Sequence, residues 1–574
     1  MPSLFEELKR RNVFRVAAAY AAIAWLLAQV ADTFLPAFGL PPAYLRSFFV
    51  LLGLGFPVAV VLAWIYDITP EGIERTDDSP DAAPARPFSG RKLDFVIIAC
   101  LTVALLFLVV DRFRPGEAVP VASVRSIAVL PFDASSGDLE LAQFGVGIAD
   151  SLILRLSRIP ELKVKSRAAL TAAGENELEL GKALGVDAIC RGRVVRRGQI
   201  LEINAELVDV TDGTVIWTQR FRPQSSNLVS LDADITGAIA RRLDLELAPG
   251  NRLTTTADPE AHKLYLQGRY FWNRRTELGL RQSAEHFQQA VALDPDYALA
   301  WSGLADSYFM LFAWGFEPPD TVAARVLAAA ERSIDLDPSL AAPIATIAYF
   351  KTIYERDWDG AREYFDRAIA LNPNYSTAHH WQAFFLSTIG EHAAALAAIL
   401  RAREFEPLSP VINAEVALFS LYDGQPALAI EELEDAARLD RDYPGILGMM
   451  QRAYAMTGDV AAGQAVAAEL ESLGSLGIVF DGFNGIALPA LGLEARARQI
   501  YAAGVEASRE TYVAPGVLGI LAASFGDLDA AYAHFEAAYD ERSLILSWLR
   551  DPLLPELRED PRYAELMQRA GLEP

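Results

Sequence analysis

Ile389-Gly-Glu-His-Ala-Ala-Ala395 and, 34 residues on, Asp423-Gly-Gln-Pro-Ala-Leu-Ala429 share a glycine followed five residues later by an alanine. The spacing returns at Gly458, Gly492 and Gly526, with Gly463, Ala497 and Ala531 at the small-residue position. Nine residues after each glycine stand Ile399, Leu433, Ala467, Tyr501 and Phe535. Four successive steps of 34 residues define a two-helix repeat. The glycine turns helix A into helix B, the small residue lets the two helices approach, and the larger one fills the gap between repeats. A second ruler marks the turn after each helix B: Pro295, Pro338, Pro373 and Pro407, with Arg441 as a degenerate member. Its first step is longer because Phe312-Ala-Trp-Gly-Phe-Glu-Pro-Pro-Asp320 is inserted between two helices.

On these residues, 258–541 resembles the tetratricopeptide-repeat (TPR) proteins, an all-α solenoid, with 542–574 as a capping segment. Such arrays expose a concave face lined by the A helices. Counting back from the glycines puts Tyr354, His380, Phe384 and Tyr422 there as a candidate protein-binding groove, with ordinary packing between helices as the alternative. Chaperone-binding TPR proteins use a Lys/Asn carboxylate clamp on this face. Thr346 and Phe350 occupy the corresponding positions, so the resemblance does not extend to that partner class.

Upstream, helical spacing gives way to short β-prone runs. Ser126-Ile-Ala-Val-Leu-Pro-Phe132 reads as a strand, 141–159 as a helix, 162–166 as a strand and 178–184 as a helix. Three alternating strands (186–195, 200–210 and 214–221) and a helix (229–245) follow, predicting a mixed sheet with helices against one face. Ile127-Ala-Val-Leu-Pro-Phe132, Leu156-Ser-Arg-Ile-Pro160, Gly181-Lys-Ala-Leu-Gly-Val186 and the meander through Trp217 resemble the TolB-like amino-terminal domain over 126–247. The chain departs from that pattern at Gly145-Val-Gly147 and at Cys190. The resemblance implies no catalytic chemistry. Gly145-Val-Gly147-Ile-Ala-Asp150 lacks the third glycine of a dinucleotide fingerprint, and Gly181-Lys182-Ala183 lacks the flanking residues of a phosphate loop.

The first 111 residues carry apolar stretches at about 13–35, 47–66 and 93–111, predicting three transmembrane helices. Lys9, Arg10, Arg11 and Arg15 precede the first, and Arg75, Arg86, Arg91 and Lys92 follow the second. This bias predicts a cytoplasmic amino terminus, a 112–125 linker and periplasmic carboxy-terminal domains at a bacterial inner membrane. Phe5-Glu-Glu-Leu-Lys-Arg-Arg-Asn-Val-Phe14 and Ile68-Thr-Pro-Glu-Gly-Ile73 resemble a bacterial membrane module that precedes TolB-like and TPR regions.

The fold class expected is therefore multidomain: three transmembrane helices, a mixed α/β TolB-like domain and an all-α TPR solenoid. In its 574 residues, Asp+Glu number 75 against 51 Lys+Arg, a net charge of -24 that would repel a phosphate backbone, so no nucleic-acid partner is expected. His262, His286, His379, His380, His392 and His534 form no metal motif, and Cys100 and Cys190 make no framework. No catalytic residue, cofactor or metal is expected. The sequence reads as a non-enzymatic scaffold or adaptor of the bacterial envelope, with the lipid bilayer and proteins as partners. The alternative is a transmembrane sensor whose periplasmic region signals through a separate cytoplasmic protein.

Overall fold

The computed structural model describes helical pieces within 17–60, strands within 66–75, and residues 124–573 apart from 135–137, 160, 167–176, 198–199, 223–230, 246–255, 440, 442 and 544–545. The chain divides into two units, Met1–Glu117 and Ala118–Pro574. In the first, β1 (Tyr66–Thr69) pairs antiparallel with β2 (Gly72–Arg75), Ile68 opposite Ile73.

The expectation of three transmembrane helices is corrected here. Among the described residues no helix is long and apolar enough to cross a membrane. Tyr66, counted with the second span, opens β1 instead. The rest of 13–35 and 47–66, all of 93–111 and most of the 112–125 linker lie outside the described residues. The multi-pass inner-membrane placement, its periplasmic topology and the bilayer partner rested on those spans and fall with them.

In the second unit, β3 (Ser126–Val129), β4 (Asp133–Ala134), β5 (Lys163–Ser166), β6 (Ala188–Arg197), β7 (Ile200–Asp209) and β8 (Val215–Phe221) form one mixed sheet. Its order is β5-β3-β6-β7-β8, with β4 beside β6. β3 is parallel to β5 and β6, and β6, β7 and β8 are successively antiparallel. Side chains alternate along a strand, so Ile127, Val129, Cys190, Ile203, Ala205 and Leu207 share the main core with α1 (Leu139–Leu156) and α3 (Leu231–Arg242). Ala128, Leu130 and Ile189 form a separate cluster with Leu180 and Leu184 of α2 (Glu177–Leu184). Helices thus cover both faces rather than one. Gly145 and Gly147 lie inside α1, not at its start. A Cβ on Gly145 would meet Phe132 O at 2.1 Å and one on Gly147 would meet Leu266 Cβ at 2.6 Å, so both glycines serve close packing.

Eight helical hairpins follow among the described residues. The first four are α4 (Pro259–Trp272) with α5 (Glu277–Leu293), α6 (Ala298–Ala313) with α7 (Pro319–Leu336), α8 (Ala341–Phe350) with α9 (Trp358–Leu371), and α10 (Ser376–Thr388) with α11 (His392–Phe405). The last four are α12 (Pro410–Tyr422) with α13 (Pro426–Leu439), α14 (Pro444–Thr457) with α15 (Val460–Ser472), α16 (Ile478–Gly485) with α17 (Glu494–Ala507), and α18 (Pro515–Ser524) with α19 (Leu528–Asp540). Gly390, Gly424, Gly458, Gly492 and Gly526 take φ of 75–87°, the left-handed turn that ends an A helix. Ala395, Ala429, Ala497 and Ala531 are fully buried, as are Ile399, Leu433 and Phe535. A π-helical turn, Lys351–Glu355, extends α8.

The array closes on itself. Trp314 in the insertion packs edge-on against Phe480 at 5.9 Å, and Arg356 donates to Tyr539 O at 2.9 Å. Beyond α19, a 3₁₀ turn (Leu546–Arg550), α20 (Pro555–Glu559) and α21 (Pro561–Arg569) cover the last hairpin through Leu549, Leu557, Leu566 and Met567. Trp358 Nε1 donates to Ala570 O at 3.0 Å, tying this end to α9.

Candidate protein-binding groove

The four groove candidates occupy two places. His380 and Phe384 sit one turn apart on α10, ring centroids 5.8 Å apart. His380 pairs with Glu415 of α12, and Phe384 packs edge-on against Phe419 at 5.1 Å. Tyr422 ends α12 and packs with Phe384 against the cluster around Ala417 and Leu418. Burial raises the Tyr422 phenol pKa. Tyr354 stands apart in the π-helical turn, stacked on Phe350 at 4.8 Å, with the Arg542 guanidinium 5.0 Å over its ring. His380, Phe384 and Tyr422 therefore form one patch, and Tyr354 belongs to the closure of the array.

The patch carries a charge pair that sequence spacing did not reveal. Arg452 of α14 is buried and ion-paired with Asp551, which follows the 3₁₀ turn. Tyr422 Oη donates to the same carboxylate at 3.4 Å, and the guanidinium lies 4.8 Å over the Phe483 ring. Burial lowers the Arg452 pKa below its usual value. Trp548 packs against the same Phe483 ring at 5.6 Å. The signal available in sequence was a lone arginine inside Met449-Met450-Gln451-Arg452-Ala453, an apolar A-helix context.

A second polar cluster lies where α1 meets α4. Arg155 Nε donates to Asp232 Oδ2 at 2.9 Å, Ser151 donates to the same carboxylate, and His262 Nδ1 contacts Tyr297 Oη at 3.1 Å. Burial raises the Asp232 pKa, but Arg155, His262 and Ser151 outweigh it and hold the carboxyl below the usual range. Nearby, burial pushes Asp306 up to about 6, against a hydrogen bond from Thr346 and the charges of Arg269 and Arg275. Asp306, Arg269, Arg158 and Tyr375 line a cavity of about 40 Å³, too small for an organic ligand and matched to a water or two. The Cys190 thiol is fully buried and pushed up to about 12, an unreactive state. Among the described residues no group of three or more His, Cys, Asp or Glu could hold a metal ion.

The 34-residue period and the eight hairpins define a helical-repeat array built directly onto an α/β domain. Residues 123–238 match the family described as HilA/YgeH-like transcriptional regulator, second domain. Among curated proteins, the chain is 29% identical over 223 residues to "Putative adenylate cyclase 3" of Rhizobium meliloti (strain 1021), covering 37% of this chain and 38% of that protein. The chain thus spans well under half the length of that relative. Among solved structures, the human IFIT1 dimer with m7Gppp-AAAA is 14% identical with a TM-score of 0.35, over 54% of this chain and 76% of that one. YrrB, titled a TPR protein with an unusual peptide-binding site, is 16% identical with a TM-score of 0.22, over 33% and 90%. The repeat architecture stands on the 34-residue period and the hairpins themselves.

Proposed function

We propose that the chain is a non-enzymatic adaptor that binds a protein partner on the A-helix face of its TPR array. In this reading a TolB-like domain (126–247), the array (258–541) and the closing segment (542–574) act as one module. The observation that carries it is the patch of His380, Phe384 and Tyr422, of which Tyr422 shares the Asp551 carboxylate with the buried Arg452. Aromatic side chains and a desolvated arginine are the residue types that dominate interface energies.

A regulatory role is the second reading. It is favoured by the match of 123–238 to a domain named for transcriptional regulators and by the relative named as a putative cyclase. The continuous core from the sheet into the first hairpins supports it too, because an event on one part strains the other. In that reading the module biases a separate output protein.

The test is a photo-crosslinker at position 384 in cells, followed by identification of what is trapped. A defined protein partner is expected, with capture lost in a Phe384→Ala, Tyr422→Ala variant of native circular dichroism. Retained capture would move the interface to the α/β domain. Formation of cyclic AMP from ATP by the purified chain would overturn the non-enzymatic reading.

A further inference from the structure

The A-helix face already holds a peptide: the chain's own Trp548-Leu-Arg-Asp551. Trp548 packs at a tilt against Phe483, and Asp551 ion-pairs with Arg452 while accepting from Tyr422, 129 residues away in sequence. The 3₁₀ turn carrying them lies against α10, which also bears His380 and Phe384.

A buried arginine side chain is costly unless a carboxylate meets it. Among the ion pairs of the described residues, Arg452 pairs with Asp551, an acid from outside the eight hairpins. The hairpins thus present an arginine that demands an acid from elsewhere.

The resident segment also fills the site imperfectly. Arg452 Nε and His392 Nδ1 are buried there without a hydrogen-bond partner. His392 packs edge-on against Tyr422 at 6.0 Å. Native interiors pair nearly all such atoms, so two beside one segment mark a site with polar groups to spare.

Building on the adaptor reading, we propose that Trp548–Asp551 is a resident stand-in for the partner. The true ligand is a peptide segment with an aromatic residue followed three positions later by a carboxylate. Its ring takes the Phe483 face and its carboxylate takes Arg452 and Tyr422. Further polar groups of the partner engage Arg452 Nε and His392. The partner and the chain's own segment exclude one another, so binding releases 546–551 from the groove.

The experiment uses the full wild-type chain and two synthetic peptides, Ser-Trp-Leu-Arg-Asp-Pro-Leu and the same sequence with Asn for Asp. Hydrogen exchange of residues 546–553 is the readout, since a segment displaced from its site exchanges faster. The Asp peptide at millimolar concentration is expected to speed exchange of 546–553 at least severalfold and to slow it in α14 and α16. The Asn peptide leaves both unchanged. In a Trp548→Ala, Asp551→Asn variant, whose own segment is weakened, the Asp peptide should bind at least about tenfold more tightly than to wild type. Equal effects of the two peptides, or none from either, would overturn the proposal even where position 384 still traps a partner in cells. Peptide-driven release with no partner trapped in cells would instead uphold the site and sink the adaptor reading.

Discussion

At the scale of single residues, two of the buried carboxylates, Asp232 and Asp306, behave oppositely. Asp232 is held ionised by Arg155, and removing one partner of a buried pair leaves the other charge uncompensated. Asp232→Ala should therefore cost about 3–5 kcal/mol, read by chemical denaturation. Asp306 has a folded pKa of about 6 against an ordinary 3.8, so the folded state holds a proton that the unfolded chain has lost. Its contribution is fully present below the ordinary value and is lost as pH rises through about 6. Denaturation at pH values from about 4 to about 7 should show wild type losing on the order of 1–3 kcal/mol relative to Asp306→Asn over that window. A constant difference between the two would show that Asp306 is ionised throughout. The signals for these residues were weak in sequence, because each carboxylate's partners come from other elements: Ser151 and Arg155 lie on α1 and Asp232 on α3.

Secondary elements were more legible, for a physical reason. A helix end that must turn left-handed selects glycine, and an A–B contact selects a small side chain, so geometry writes itself at fixed spacing. Gly390 through Gly526 carry the first signal and Ala395 through Ala531 the second. Ala429→Leu or Ala531→Leu should overpack the pair and cost about 1–3 kcal/mol, measured by thermal unfolding. An unchanged melting temperature in both would break the register. The π-helical turn at Lys351–Glu355 left no such mark, and neither did the side of the sheet taken by α2. An amphipathic helix of eight residues reads the same on either face. In the groove, His380, Phe384 and Tyr422 could be counted from the glycines because they ride on A helices. Arg452 and Asp551 could not, since a contact made through closure of the array has no period. The three apolar stretches near the amino terminus show the limit from the other side. Hydropathy reports what a segment could bury in, while β1 and β2 show that Tyr66–Arg75 satisfies its backbone by strand pairing.

At the scale of the whole second unit, the sheet and the first hairpins share one core, and Gly147 brings α1 onto α4. Far-ultraviolet circular dichroism and tryptophan fluorescence should therefore report a single coincident unfolding transition for Ala118–Pro574. Gly147→Leu, which drives a side chain into Leu266, should lower the midpoint by several degrees and separate the two probes. Coincident transitions in that variant would mean that the seam is not what couples them. An open solenoid can gain or lose a repeat with little consequence, because each hairpin answers only to its neighbours. Here Trp314 meets Phe480, Arg356 meets Tyr539 and Trp358 meets Ala570, so the second and third hairpins are clasped to the far end of the array. The clasp fixes the number of repeats. One hairpin more would carry Phe480 and Tyr539 out of reach and one fewer would drive them past their partners, so a chain with a hairpin inserted or deleted loses the clasp.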